Sequence, residues 1–222
     1  MLFDGLLPRV LPAYAPPALR PGERGLVLGM GGGCDVFAAW AVAREWQAAA
    51  GSAGEVLFGN ACAPRHVGRT KAERPEAALE EILPNLYRSG AVLPLILPGD
   101  GAYGTLKLEL SLPSPYVFAV PHGDVRGDDD LTKLDPMAAE AANGVWLAGC
   151  LAALGPVTHV VAVDCGGDSL TGGVDFLPGG SMEMGRDRQV LHALGANGVS
   201  FDHMVLGPGC DAESSVEVRR II

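Results

Sequence analysis

Five short segments, each after an expected strand, gather residues able to do chemistry: Met30-Gly-Gly-Gly-Cys-Asp35, Asn60-Ala-Cys62, His122-Gly-Asp124, Asp164-Cys-Gly-Gly-Asp168 and Gly207-Pro-Gly-Cys-Asp211. Their glycines let backbone N–H groups approach an anion closely, and a helix that follows adds its positive end. Gly31, Gly32 and Gly33 are therefore candidates to cradle a phosphate or carboxylate, with Asn60, Gly166, Gly167, Asp187 and Asp211 as further ligand-binding positions. Asp35, Asp164 and Asp168 are the catalytic candidates. Crowded carboxylates raise one another's pKa unless compensated, so such a set holds a metal, keeps a proton for acid/base work, or meets arginine, for which Arg186 and Arg188 are at hand. Oxygen donors favour magnesium, manganese or calcium over zinc, with Asp35, Asp164 and Asp168 as the metal candidates. Helix capping is the competing reading for any one of them.

Common nucleotide motifs do not fit. A dinucleotide fingerprint needs glycine where Cys34 stands and an acidic residue where Asn60 closes the second strand, so NAD is disfavoured. A Walker-type loop needs a lysine after the glycines, and there is none. Residues 167–170 spell Gly-Asp-Ser-Leu, which resembles the nucleophile block of GDSL-type serine esterases and would make Ser169 the nucleophile. That family places the block after its first strand and supplies a late Asp-x-x-His. Here the block is late and no such motif follows, which leaves His192 and His203 as the downstream bases. Of the remaining histidines, His122 alone sits in a strand-end loop. The five cysteines include no Cys-x-x-Cys pair, and Cys34, Cys165 and Cys210 read first as small buried side chains.

Strands alternating with helices must position these segments. Gly25–Gly29 reads as a strand, followed by a glycine turn and a helix over 35–47. Glu55–Phe58 reads as a second strand and Pro75–Leu86 as a proline-started helix. Ala91–Leu97 and Tyr116–Val120 are strand-like, and the Pro98–Pro115 segment between them reads as a small hairpin insertion. A helix over Asp135–Leu154 leads into the β-branched strand Val157–Val163, and a helix over Arg186–Leu194 into the strand Asp202–Leu206. Residues 1–24 form a proline-rich arm. The pattern predicts one α/β domain over residues 1–222, with a doubly wound, mostly parallel sheet and helices on both faces, a Rossmann-like three-layer arrangement. In such sheets ligands bind outside the carboxyl ends of the strands, where all five segments fall.

Together, Gly29-Met-Gly-Gly-Gly-Cys-Asp35, Gly59-Asn60, Val163-Asp-Cys-Gly-Gly-Asp168 and Gly207-Pro-Gly-Cys-Asp211 resemble domain-of-unknown-function family 1152. The resemblance covers nearly the whole chain. It implies that Asp35, Asp164, Asp168, Asp187 and Asp211 share one site, with Asn60 and Glu183 as lesser members. Ala212 departs from the family's glycine before Glu213. The resemblance speaks to fold and site, not to a reaction.

A net charge of -10 opposes sequence-independent binding to nucleic acid or to anionic lipid. No apolar run reaches the roughly 20 residues a membrane helix needs, and no basic-then-apolar leader opens the chain, so a cytoplasmic setting is expected. The expected partner is a small anionic molecule, and a homo-oligomer is compatible with the sequence. The expected function is an enzyme acting on that molecule. The alternatives are a non-catalytic nucleotide or metabolite binding module, and the serine esterase.

Overall fold

The structure is a computed structural model that describes residues 14–31, 34–93, 106–122, 136–166, 169, 174–176, 182–184 and 186–207. In the apolar run RGLVLG, strand β1 (Arg24–Gly29), Leu26, Val27 and Leu28 are all at most 1% exposed. A continuous apolar run of this kind is what a strand covered on both faces requires. Leu26 and Leu28 pack with Leu147 and Cys150 of α3 (Pro136–Ala153) and Val190 and Leu194 of α4 (Arg186–Ala196). Val27 packs with Ala39, Ala43 and Trp46 of α1 (Asp35–Ala50). Strand β6 (Val157–Cys165) alternates in the same way, with Val160 and Ala162 in the first cluster and Val161 and Val163 in the second. Each fully buried aliphatic side chain contributes about 1.5–3 kcal/mol relative to exposure.

The seven-stranded sheet runs β3-β4-β5-β2-β1-β6-β9, where β2 is Glu55–Cys62, β3 is Leu79–Leu83, β4 is Leu86–Ser89, β5 is Tyr116–Ala119 and β9 is Ser200–Leu206. From β5 to β9 every pair is parallel. The chain therefore moves outward from β1 to β2 in one direction and later returns to the other side of β1 as β6. The strand order reverses between β1 and β6, and Gly29 stands opposite Asn60 on one side and Val163 on the other.

The expected helix over 75–86 is not present. Pro75–Ala77 forms a single 3-10 turn, and the chain then makes an antiparallel hairpin of β3 (Leu79–Leu83) and β4 (Leu86–Ser89). Two local features overrule the helix: Ala78 has φ 48°, and Asn85, in the two-residue Pro84-Asn85 connection, has φ 68°. Glu80 faces Arg88 across the hairpin, and charges of this kind blunt an edge strand. Conversely, the polar segment Pro64–Glu73 forms the unanticipated helix α2, begun by proline at its first position. Ala91–Leu93 is not strand, and residues 94–97 lie outside the described residues. Within the expected hairpin insertion, the described part holds a 3-10 turn, Glu109–Ser111, and buries Leu110 in it and Leu106 before it. A separate antiparallel pair, β7 (Val174–Phe176) and β8 (Met182–Met184), follows β6.

The described part of the proline-rich arm crosses the amino end of the sheet. The Tyr14 hydroxyl donates to Asp202 Oδ2 at 2.9 Å and the Trp46 indole to the Pro17 carbonyl at 3.0 Å, while Leu19 is buried beside Trp46. His159, edge-on to Trp46, bridges Ser200 and Asp202.

Candidate functional site

The carboxyl ends of β1, β2, β6 and β9 bring four groups of side chains together. The first is Asp35, the opening residue of α1, which is 3% exposed. Its Oδ2 accepts the Gly31 N–H at 2.9 Å and its Oδ1 accepts the Cys165 N–H at 2.8 Å. One carboxylate thus ties the turn after β1 to the end of β6, across the point where the strand order reverses. Its position in the first turn of α1 also favours its charge.

The second is Arg186, at the amino end of α4, whose Nη1 donates to the Gly31 carbonyl. Gly31 has φ 132°, a conformation L side chains rarely adopt, and a Cβ there would collide with the Arg186 side chain. The glycine is therefore needed both for the backbone angle and for passage of the guanidinium.

The third is a buried acid that the sequence reading did not single out. Asn60 is 2% exposed and its Nδ2 donates to Glu109 Oε1 at 2.8 Å. Glu109 is itself 7% exposed. Burial pushes its carboxyl above the usual range, opposed by the Asn60 hydrogen bond, a backbone hydrogen bond and the Arg186 charge. Asn60 Oδ1 has no hydrogen-bond partner among the described residues and sits where a Cβ on Gly29 would lie. Cys62, two residues on, is buried, and burial and Glu109 push its thiol up while Arg186 pulls it down. A single glutamate inside the leucine run Leu106-Lys-Leu-Glu-Leu110 was the available signal. It was hidden because the run also fits an alternating edge strand.

The fourth group is Asp164, Ser169 and His203. Asp164 and Ser169 are 2% and 3% exposed, whereas His203 is exposed on the edge strand β9. Asp164 Oδ2 accepts both the Ser169 hydroxyl and, at 3.3 Å, the Ser169 N–H. His203 Nε2 lies 2.9 Å from Ser169 Oγ. Desolvation lowers the His203 pKa. His192, the other downstream histidine, faces Glu140 at 3.4 Å instead.

Of the remaining expected positions, Gly166 has φ 140° and donates its N–H to the Leu206 carbonyl at 3.1 Å, joining the ends of β6 and β9. Asp187 is buried in the first turn of α4. His122 donates its backbone N–H to Asn143 Oδ1, and Asn143 in turn donates to Gln189 at 2.9 Å, which fixes the loop after β5 to α3 and α4. Cys34 is exposed and Cys165 half-buried. Gly32, Gly33, Asp124, Gly167, Asp168, Cys210 and Asp211 lie outside the described residues, and no side chain of Glu183 is described.

Among the described residues no three His, Cys, Asp or Glu side chains are grouped so as to hold a metal ion. Asp35 has an oxygen engaged with each of two backbone N–H donors, so it acts there as a clamp. A cavity of about 10 Å³ lies between the sheet and α3 and α4, lined by Leu28, Phe118, Trp146, Leu147, Gln189 and Val190. It is water-sized and apolar, a gap in packing. No protein-family model, no curated protein and no solved structure matches the chain.

Proposed function

We propose that this protein is an enzyme of Rossmann-like, three-layer architecture that acts on a small anionic metabolite, phosphorylated or carboxylated, bound at the carboxyl ends of β1, β2 and β6. The observation that carries this reading is Arg186, laid over the Gly31 turn with the buried Asn60–Glu109 pair behind it. A guanidinium, a glycine turn and the amino end of α4 in one place suit an anion. They stand at the reversal of strand order, where open α/β sheets bind their ligands. Asp35 holds the two sides of that crevice together. Asp164, at the end of β6, is the group placed to exchange a proton with the bound molecule. Kinship with domain-of-unknown-function family 1152 belongs to the same proposal and rests on the motif positions.

The chain's charge of -10 favours a small ligand over nucleic acid or an anionic membrane surface, and no described helix is long and apolar enough to cross a membrane. A non-catalytic binding module would use the same crevice. Turnover separates the two: incubation of the purified protein with pooled phosphorylated and carboxylated metabolites, followed by mass spectrometry, is expected to show one of them consumed by wild type and spared by Asp164→Asn. Recovery of every bound metabolite unchanged would favour the binding module.

The Ser169–His203 contact gives the esterase a specific observation in its favour. Nucleophilic attack needs the Ser169 proton directed at His203, yet the same hydroxyl faces the Asp164 carboxylate, which also takes the Ser169 N–H. One hydroxyl has one proton. An ionised Asp164 can only accept, so the hydroxyl proton goes to it. This favours Asp164, not Ser169, as the reactive group.

A further inference from the structure

We infer that His203, Ser169 and Asp164 form a directed hydrogen-bond chain, in which His203 and Ser169 are positioning residues that hold and load the Asp164 carboxylate from the outer edge of the sheet. The inference rests on the reading of Asp164 as the proton-exchanging group, but its test needs no ligand. Ser169 sits between an acceptor and a ring nitrogen, with Asp164 Oδ2 on one side and His203 Nε2 at 2.9 Å on the other. With its proton donated to Asp164, the hydroxyl can only accept from His203, so Nε2 must carry the hydrogen and Nδ1 be bare. Register supports the arrangement: β6 and β9 pair in parallel with Ala162 opposite His203 and Asp164 opposite Val205. By strand alternation, Asp164 and His203 therefore share one face of the sheet.

Burial differs sharply along the chain. The carboxylate and hydroxyl are enclosed and the imidazole is exposed, so the three residues lead from solvent to the crevice. A proton taken from water at His203 Nδ1 makes the ring cationic. The ring then releases its Nε2 proton to Ser169 Oγ as the Ser169 proton passes to Asp164 Oδ2. The ring is left neutral in its other tautomer, and the carboxylate has gained one proton. The serine of the Gly-Asp-Ser-Leu block is on this account a relay and not an acyl acceptor.

Nitrogen-15 NMR of histidine-labelled full-length protein reads the direction of the chain. The expected result is His203 with hydrogen on Nε2 and a slowly exchanging downfield Nε2–H resonance, lost in Ser169→Ala and restored in Ser169→Thr. A hydrogen on Nδ1 with Nε2 as acceptor would overturn the chain and support the nucleophile. So would a downfield resonance that persists unchanged in Ser169→Ala. Should Ser169→Ala fail to fold, the wild-type tautomer and Ser169→Thr decide alone. Failure of the directed chain would leave anion binding at Arg186 untouched, and failure of anion binding would leave the tautomer result standing.

Discussion

Glu109 shows at the scale of one residue how burial and charge oppose each other in this site. Its carboxyl is enclosed, accepts from Asn60 and feels Arg186, and burial is the largest of these influences. Because its pKa is raised in the folded state, the folded protein binds more protons than the unfolded one between the ordinary carboxyl pKa and the raised value. Glu109 therefore costs stability as pH rises through that interval, and the cost is complete above it. Glu109→Gln keeps an oxygen to accept from Asn60 and removes the charge. It is expected to melt at the wild-type temperature well below pH 4 and at a progressively higher one towards pH 8. Thermal melts across that range check this, and a variant less stable than wild type at pH 8 would show that Arg186 needs its counter-charge. The sequence showed the carboxylates beside glycines, and Asp35 accepts the Cys165 N–H at the end of β6, next to Asp164 in the chain. It did not show Glu109, and it left His192 and His203 both open as the partner of Ser169, because these contacts depend on pairings between segments far apart in the chain.

At the scale of elements, the strands and helices of the parallel part were legible because each carries its own apolar pattern: RGLVLG for β1, and the stripe Val36, Ala39, Ala43, Trp46 along α1. The hairpin of β3 and β4 was not, because a glutamate-rich stretch after proline has the composition of a helix start. The deciding feature was the two-residue Pro84-Asn85 connection, whose Asn85 adopts positive φ. Junctions between elements also rest on single side chains. Gln47, in the last turn of α1, donates to the Gly51 and Gly54 carbonyls at 2.9 and 3.0 Å and accepts the Val56 N–H at 2.7 Å, so it ties α1 to β2. Gln47→Ala strips three backbone groups of their partner. The expected loss is about 1–3 kcal/mol in denaturant unfolding, since water can satisfy only the more exposed of these groups. An unfolding midpoint equal to wild type would mean that the loop after α1 is fixed by the backbone alone.

For the whole molecule, the strand order matters more than any one motif. Residues 29–31, 60–62, 164–166 and 203–207 become neighbours only because β1, β2, β6 and β9 run the same way, so that these four strands discharge at one end of the sheet. The described part of the arm fastens the opposite end through Tyr14, Pro17 and Leu19. The net charge of -10 works against anion binding at long range, and the Arg186 guanidinium over the Gly31 turn offsets it locally. The measurement that tests this most directly is a thermal-shift screen of wild type and Arg186→Gln against divalent metals, nucleotides, and phosphorylated and carboxylated metabolites. A ligand that binds only the folded state raises the melting temperature, by an amount that grows with its concentration relative to Kd. The account predicts that at least one small phosphorylated or carboxylated compound raises the wild-type melting temperature by several degrees and that Arg186→Gln, folded without ligand, loses the shift. A wild-type protein indifferent to every anion, or a shift that Arg186→Gln retains in full, would contradict it.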